Sequence, residues 1–108
     1  MNLVEILAYQ TLEGKIPYQN WLKSIRDSQT KARIRNRVDR LRLGNFGDCK
    51  GIAEGISELR LHFGSGYRIY FAKDGRTLVI LLCGGDKSTQ SSDIEKACLY
   101  WQDYKRRK

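Results

Sequence analysis

Histidine, proline and cysteine are scarce in this chain, and long apolar runs are missing. The cysteines are Cys49, Cys83 and Cys98, an odd number without C-x-x-C spacing, and His62 is the only histidine. That combination argues against a Cys/His zinc site. The cysteines read instead as small core residues of a reducing compartment. No apolar run approaches the roughly 20 residues that a membrane span needs, and the N-terminus lacks a signal-peptide pattern. The expectation is a cytoplasmic protein with no metal, no cofactor and no membrane contact.

What is abundant is positive charge. Of 108 residues, 20 are Lys or Arg and 12 are Asp or Glu, a net charge of +8. The excess is clustered. Lys31, Arg33, Arg35, Arg37, Arg40 and Arg42 face only Asp39 over residues 31–43, and the chain ends in Lys-Arg-Arg-Lys. A field of this kind attracts polyanions, so nucleic acid or an acidic protein is the expected partner. The length predicts a single domain over 1–108, and the 41% hydrophobic content suits one modest core.

Periodicity predicts the order β-αα-βββ-α. Residues 2–9 read as an edge strand. Residues 16–27 read as a helix with Pro17 at its first position and a stripe of Tyr18, Trp21, Leu22 and Ile25. A second helix is expected from a Ser28 N-cap to Leu43. Ile34, Val38 and Leu41 lie on one of its faces, Arg33, Arg37 and Arg40 on another, and Gly44 follows its end. The glycine-rich stretch 45–56 reads as a loop. Strands are expected at 57–63, 67–72 and 77–83, joined by Gly-Ser-Gly and by Asp74-Gly75. The last is apolar throughout, as a strand buried on both faces would be. Ser92 and Glu95 match a capping box for a final helix with the stripe Ile94, Ala97, Cys98 and Trp101. The fold class is α+β, helices on a sheet with one face or rim open.

Charges in the first of these strands need an explanation. Alternation sends Leu59, Leu61 and Phe63 to the core and Glu58, Arg60 and His62 to the opposite face. Arg68 interrupts the next strand, with Tyr70 on its face, and Lys87 lies just past the third. This set matches what metal-free RNA cleavage requires. Glu58 or His62 supplies a base for the 2′-hydroxyl. Arg60 and Arg68 hold the phosphate through their guanidinium forks. Lys87 adds charge stabilisation, and Tyr67 or Tyr70 stacks a base or places a proton. Arg33, Arg37 and Arg40 extend the basic surface for RNA.

Three segments, "RLRLGNFGD", "ELRLHFGSGYRIYF" and "GGDKSTQ", within a likeness from about Trp21 to Trp101, resemble the addiction-module killer proteins. These are HigB-like toxins of the RelE/ParE superfamily, from bacterial type II toxin–antitoxin systems. The resemblance implies a RelE-like fold, a helical hairpin and C-terminal helix packed on a curved antiparallel sheet. It implies ribosome-dependent mRNA cleavage with Arg60, Arg68 and Lys87 at the positions of the basic catalytic residues. A tyrosine near the C-terminus, Tyr100 or Tyr104, joins them by the same likeness. It also implies an antitoxin, a helix-turn-helix protein of the adjacent gene, and operator DNA reached only through that antitoxin. ParE-like members share much of the pattern and poison DNA gyrase, and a non-enzymatic RNA-binding module is the third reading.

Overall fold

A computed structural model describes residues 3–108. The α+β architecture expected from the sequence is what it shows, in a form compatible with the RelE-like fold. The chain runs β1 (Glu5–Ala8), α1 (Pro17–Ser24), α2 (Ser28–Arg42), β2 (Cys49–Ala53), β3 (Ile56–Arg60), β4 (Arg68–Asp74), β5 (Leu78–Gly85) and α3 (Gln90–Arg106). The strands form one sheet in the order β1-β5-β4-β3-β2. Strands β2 to β5 are antiparallel neighbours, and β1 closes the other edge parallel to β5. Of the N-terminal strand predicted over 2–9, position 2 lies outside the described residues.

Alternation along the strands divides the core in two. The hairpin α1–α2 covers one face, where Leu22, Ile34, Val38 and Leu41 meet Leu59, Ile69, Phe71 and Leu81. Helix α3 covers part of the other, where Ala97 and Trp101 meet Ile56, Tyr70, Ala72 and Leu82. Strand β5 contributes to both clusters, which explains its unbroken apolar run.

Several boundaries differ from the sequence expectation, each for a local reason. Helix α2 is capped by Asp27, not Ser28: the Asp27 carboxylate accepts from Thr30 N at 3.2 Å. The final helix starts before Ser92. Asp86 caps a 3-10 turn at Lys87–Thr89, its carboxylate accepting from Ser88 N at 2.9 Å, and α3 continues from that turn. Ser92 Oγ instead donates to Thr89 O. The stretch 45–56 is not all loop. Strand β2 forms in it because Glu54 and Gly55, both at positive φ (47° and 86°), close a tight hairpin onto β3. Gly51 and Gly55 had diluted its period. Helix α1 stops at Ser24, and β3 stops at Arg60, two residues before His62.

Candidate active site

The β3–β4 register sets the site. Arg60 lies opposite Arg68, and Glu58 opposite Tyr70. All four side chains belong to the α3 side of the sheet. Two arginines directly opposite repel each other, and a carboxylate compensates. Glu58 is fully buried. Its Oε1 accepts from Arg60 Nε at 3.1 Å. Its Oε2 accepts from Gln90 Nε2 at 2.8 Å and from the Tyr70 hydroxyl at 3.2 Å, and lies 3.5 Å from Arg68 Nε. Burial alone would raise the Glu58 pKa. Hydrogen bonds from Gln90, Arg60 and Tyr70, with the Arg68 charge, outweigh it and hold the pKa below the ordinary carboxylate value. Tyr70 moves the other way: burial, then the Glu58 charge, pushes its hydroxyl well above the usual phenol range.

These placements correct two expectations. Glu58 has no solvent-exposed surface from which to take a substrate proton, and its oxygens are already engaged. Tyr70 is likewise fully buried, so no base can stack on it.

Arg60 and Arg68 also line a cleft of about 360 Å³, with His62, Phe63, Gly66 and Tyr67 among its other walls. Arg68 is mostly covered, with 13% of its side chain exposed, against 37% for Arg60. Arg68 Nη1 donates to Gly66 O at 3.0 Å. Gly66 sits at φ 79°, and a Cβ there would approach Lys87 Cβ to 3.4 Å and Arg68 Nη1 to 3.5 Å. Those are ordinary contact distances, so it is the positive φ and not the space that favours glycine at 66, and Lys87 N donates to Ser65 O beside it. Lys87 itself is exposed at the rim. Tyr67 is half-buried between Trp21 and Phe63, with ring centroids 6.2 and 5.6 Å away.

His62 lies past the end of β3, on the same cleft wall, 73% exposed, with Nε2 2.5 Å from Asp48 Oδ2. It does not touch Glu58, although strand alternation had grouped them. Asp48 carried no signal in the sequence, because its contact with His62 depends on the fold of the 45–48 segment. Gln90 was missed for the same reason: only the docking of α3 brings it to Glu58.

A second groove, about 470 Å³, adjoins the cleft through Arg60, His62 and Phe63 and is lined by Arg33, Arg37 and Arg40 of α2. The three arginines differ. The Arg33 guanidinium lies 3.9 Å from the Phe63 ring centroid. Arg37 is committed to the chain, donating to Asn45 O and Phe46 O. Arg40 is exposed and makes no ion pair among the described residues.

The C-terminal tyrosines implied by the resemblance stand away from the cleft. Tyr100 stacks on Tyr9 at 5.0 Å, and the Tyr104 hydroxyl donates to Asp74 at 2.9 Å. At 1.5 Å per residue, Tyr104 is about 20 Å along α3 from Gln90.

The Gly84-Gly85 pair ends β5. A Cβ on Gly84 would strike the Trp21 ring, and one on Gly85 would strike Asp93 and Thr89. Packing between helices and strand therefore accounts for both glycines. Among the described residues, no three His, Cys, Asp or Glu side chains are grouped so as to hold a metal ion.

Residues 20–99 match the family described as phage-derived Gp49-like protein (DUF891). An uncharacterized protein of Haemophilus influenzae is 48% identical over 92 residues, covering 85% of this chain and 93% of its own length. The matched family span contains every residue of the cleft and of the α2 groove.

Proposed function

Because the chain belongs to the phage-derived Gp49-like family, we propose that it is the toxin of a type II toxin–antitoxin pair, cutting mRNA on the ribosome without a metal. One observation carries the reading. Two arginines that register alone would drive apart are held side by side by one buried carboxylate, and both line an open cleft. A phosphate entering the cleft gains two guanidinium partners.

In the reaction, the 2′-hydroxyl attacks the adjacent phosphorus and the bond to the 5′-oxygen breaks. Arg60 and Arg68 take up the negative charge that builds on the phosphoryl oxygens. His62, exposed on the cleft wall and oriented by Asp48, receives the 2′-hydroxyl proton. Tyr67, which lines the cleft, gives the departing 5′-oxygen its proton, and the exposed Lys87 adds charge stabilisation. The α2 groove receives the flanking strand, with Arg33 and Arg40 as its phosphate contacts. An antitoxin from the neighbouring gene is the expected protein partner, and operator DNA is reached through it.

The test is primer extension on a reporter mRNA in a reconstituted translation system, with and without ribosomes, using wild type, Arg60→Ala and Arg68→Ala. New 5′ ends within codons are expected with ribosomes and wild-type protein, falling about 100-fold or more in either variant. Thermal melting of each variant separates a lost site from a lost fold. A folded, toxic protein that cuts no mRNA and instead breaks DNA would replace this reading with a gyrase-directed one.

A further inference from the structure

The mechanism above leaves three polar groups unused: the buried Glu58 carboxylate and Tyr70 hydroxyl, and the half-buried Gln90 amide. Each arginine of the cleft turns its Nε edge towards Glu58. The terminal nitrogens of Arg60 have no hydrogen-bond partner among the described residues, and Arg68 offers only Nη1 to Gly66 O. Arg68 Nε is buried and has no partner of normal geometry, since Glu58 lies 3.5 Å away. An unsatisfied buried donor is a cost that native structures rarely carry without a functional reason. Gln90 and Tyr70 meanwhile fix Oε2 from two sides.

From this geometry, and resting on the phosphate-binding reading of the cleft, we propose that Glu58 is a positioning residue. With Gln90 and Tyr70 it forms a buried post that sets Arg60 and Arg68 as a fixed clip for one phosphate of a nucleic-acid strand. The post occupies the Nε edge of each guanidinium and Gly66 O takes Arg68 Nη1, which leaves both terminal nitrogens of Arg60 and Arg68 Nη2 for the phosphate. Gln90 is the first residue of α3, and the docking of that helix therefore sets the clip. Loosening the post costs turnover more than affinity, because a misplaced guanidinium still attracts phosphate but no longer meets the transition-state oxygens.

The variants are Gln90→Met, which keeps length and removes the donor, Tyr70→Phe, which removes only a hydroxyl, and Glu58→Gln. The direct readout is proton–nitrogen correlation NMR of the arginine Nε–H groups, with inorganic phosphate as the titrant. In wild type, the Arg60 and Arg68 signals are expected to exchange slowly and to shift with phosphate. In Gln90→Met and Tyr70→Phe they exchange faster, and kcat for mRNA cleavage falls about 10- to 100-fold with little change in KM. In Glu58→Gln some cleavage survives, with the shape of its pH profile kept. Unchanged exchange and unchanged kcat in both Gln90→Met and Tyr70→Phe would overturn the proposal. So would a Glu58→Gln protein with undisturbed arginine signals and a lost acid limb of the pH profile, which would make Glu58 a base. If wild type cuts no mRNA while the signals are protected and respond to phosphate, the ribonuclease reading fails and the clip stands.

Discussion

A carboxylate with no solvent contact must draw its stability from its partners, and Glu58 has two arginines, a phenol and an amide around it. Because its pKa is held below the ordinary value, the unfolded chain binds the proton more readily than the folded one. Stability from this group is therefore present above the unfolded carboxylate pKa and is lost as pH falls through the folded one. Glu58→Gln is expected to flatten that acid part of the stability curve while lowering stability at neutral pH. Glu58→Ala, which leaves the arginines facing an empty site, is expected to cost about 3–5 kcal/mol at neutral pH. Urea denaturation at a series of pH values measures both. A Glu58→Gln curve parallel to wild type through the acid range would show that this carboxylate does not carry the dependence.

At the scale of elements, the β2–β3 hairpin is the least expected part of the fold. Its turn forces Glu54, a residue with a Cβ, to φ 47°. The left-handed conformation costs such a residue roughly 1–2 kcal/mol. The contact from Gln102 Nε2 to the exposed Glu54 carboxylate, at 3.3 Å, offsets little of that. Glu54→Gly, giving Gly-Gly at the turn, is expected to stabilise the protein by about 1 kcal/mol, read as a higher urea midpoint at constant slope. Lower stability in this variant would mean that the Gln102 contact, and not the turn, governs the position. The hairpin matters to the site because it places Asp48 beside His62 and pairs Lys50 with Glu58 across the ladder.

Over the whole molecule, charge is unevenly spread. The cleft and the α2 groove join through Arg60, His62 and Phe63 into one basic track. Among the described residues Arg40 makes no ion pair and Arg33 stacks only on Phe63, whereas Arg37 donates to Asn45 O and Phe46 O. Binding of single-stranded RNA is therefore expected to weaken steeply with salt. The Arg33→Ala/Arg40→Ala pair should reduce the slope of log K against log salt by about 1.4, at ~0.7 per phosphate contact. The pair should leave melting near wild type, because both side chains are exposed. A slope identical to wild type would remove α2 from the RNA path. Arg37→Ala is expected to act differently, loosening the 45–47 segment and lowering stability.

A clean apolar period makes helix and strand legible along the chain, though not where each one ends: residues 57–63 alternate throughout, yet β3 stops at Arg60. The stripes of α1, α2 and α3 and the two-sided burial of β5 follow from side-chain spacing, because each element must bury its own apolar face. The sequence also marks Arg60 and Arg68 as unusual, since charge inside an apolar strand has a local cost that is visible without a fold. What those charges meet depends on packing. Strand register put Arg60 opposite Arg68, and docking of α3 delivered Gln90. The end of β3 at Arg60 separated His62 from Glu58 and gave it Asp48 instead. Burial then took Tyr70 and Glu58 out of reach of any substrate. Each of these contacts joins residues from separate elements or turns on where a strand stops. Spacing along the chain carries no information about such pairings until packing has fixed which faces touch.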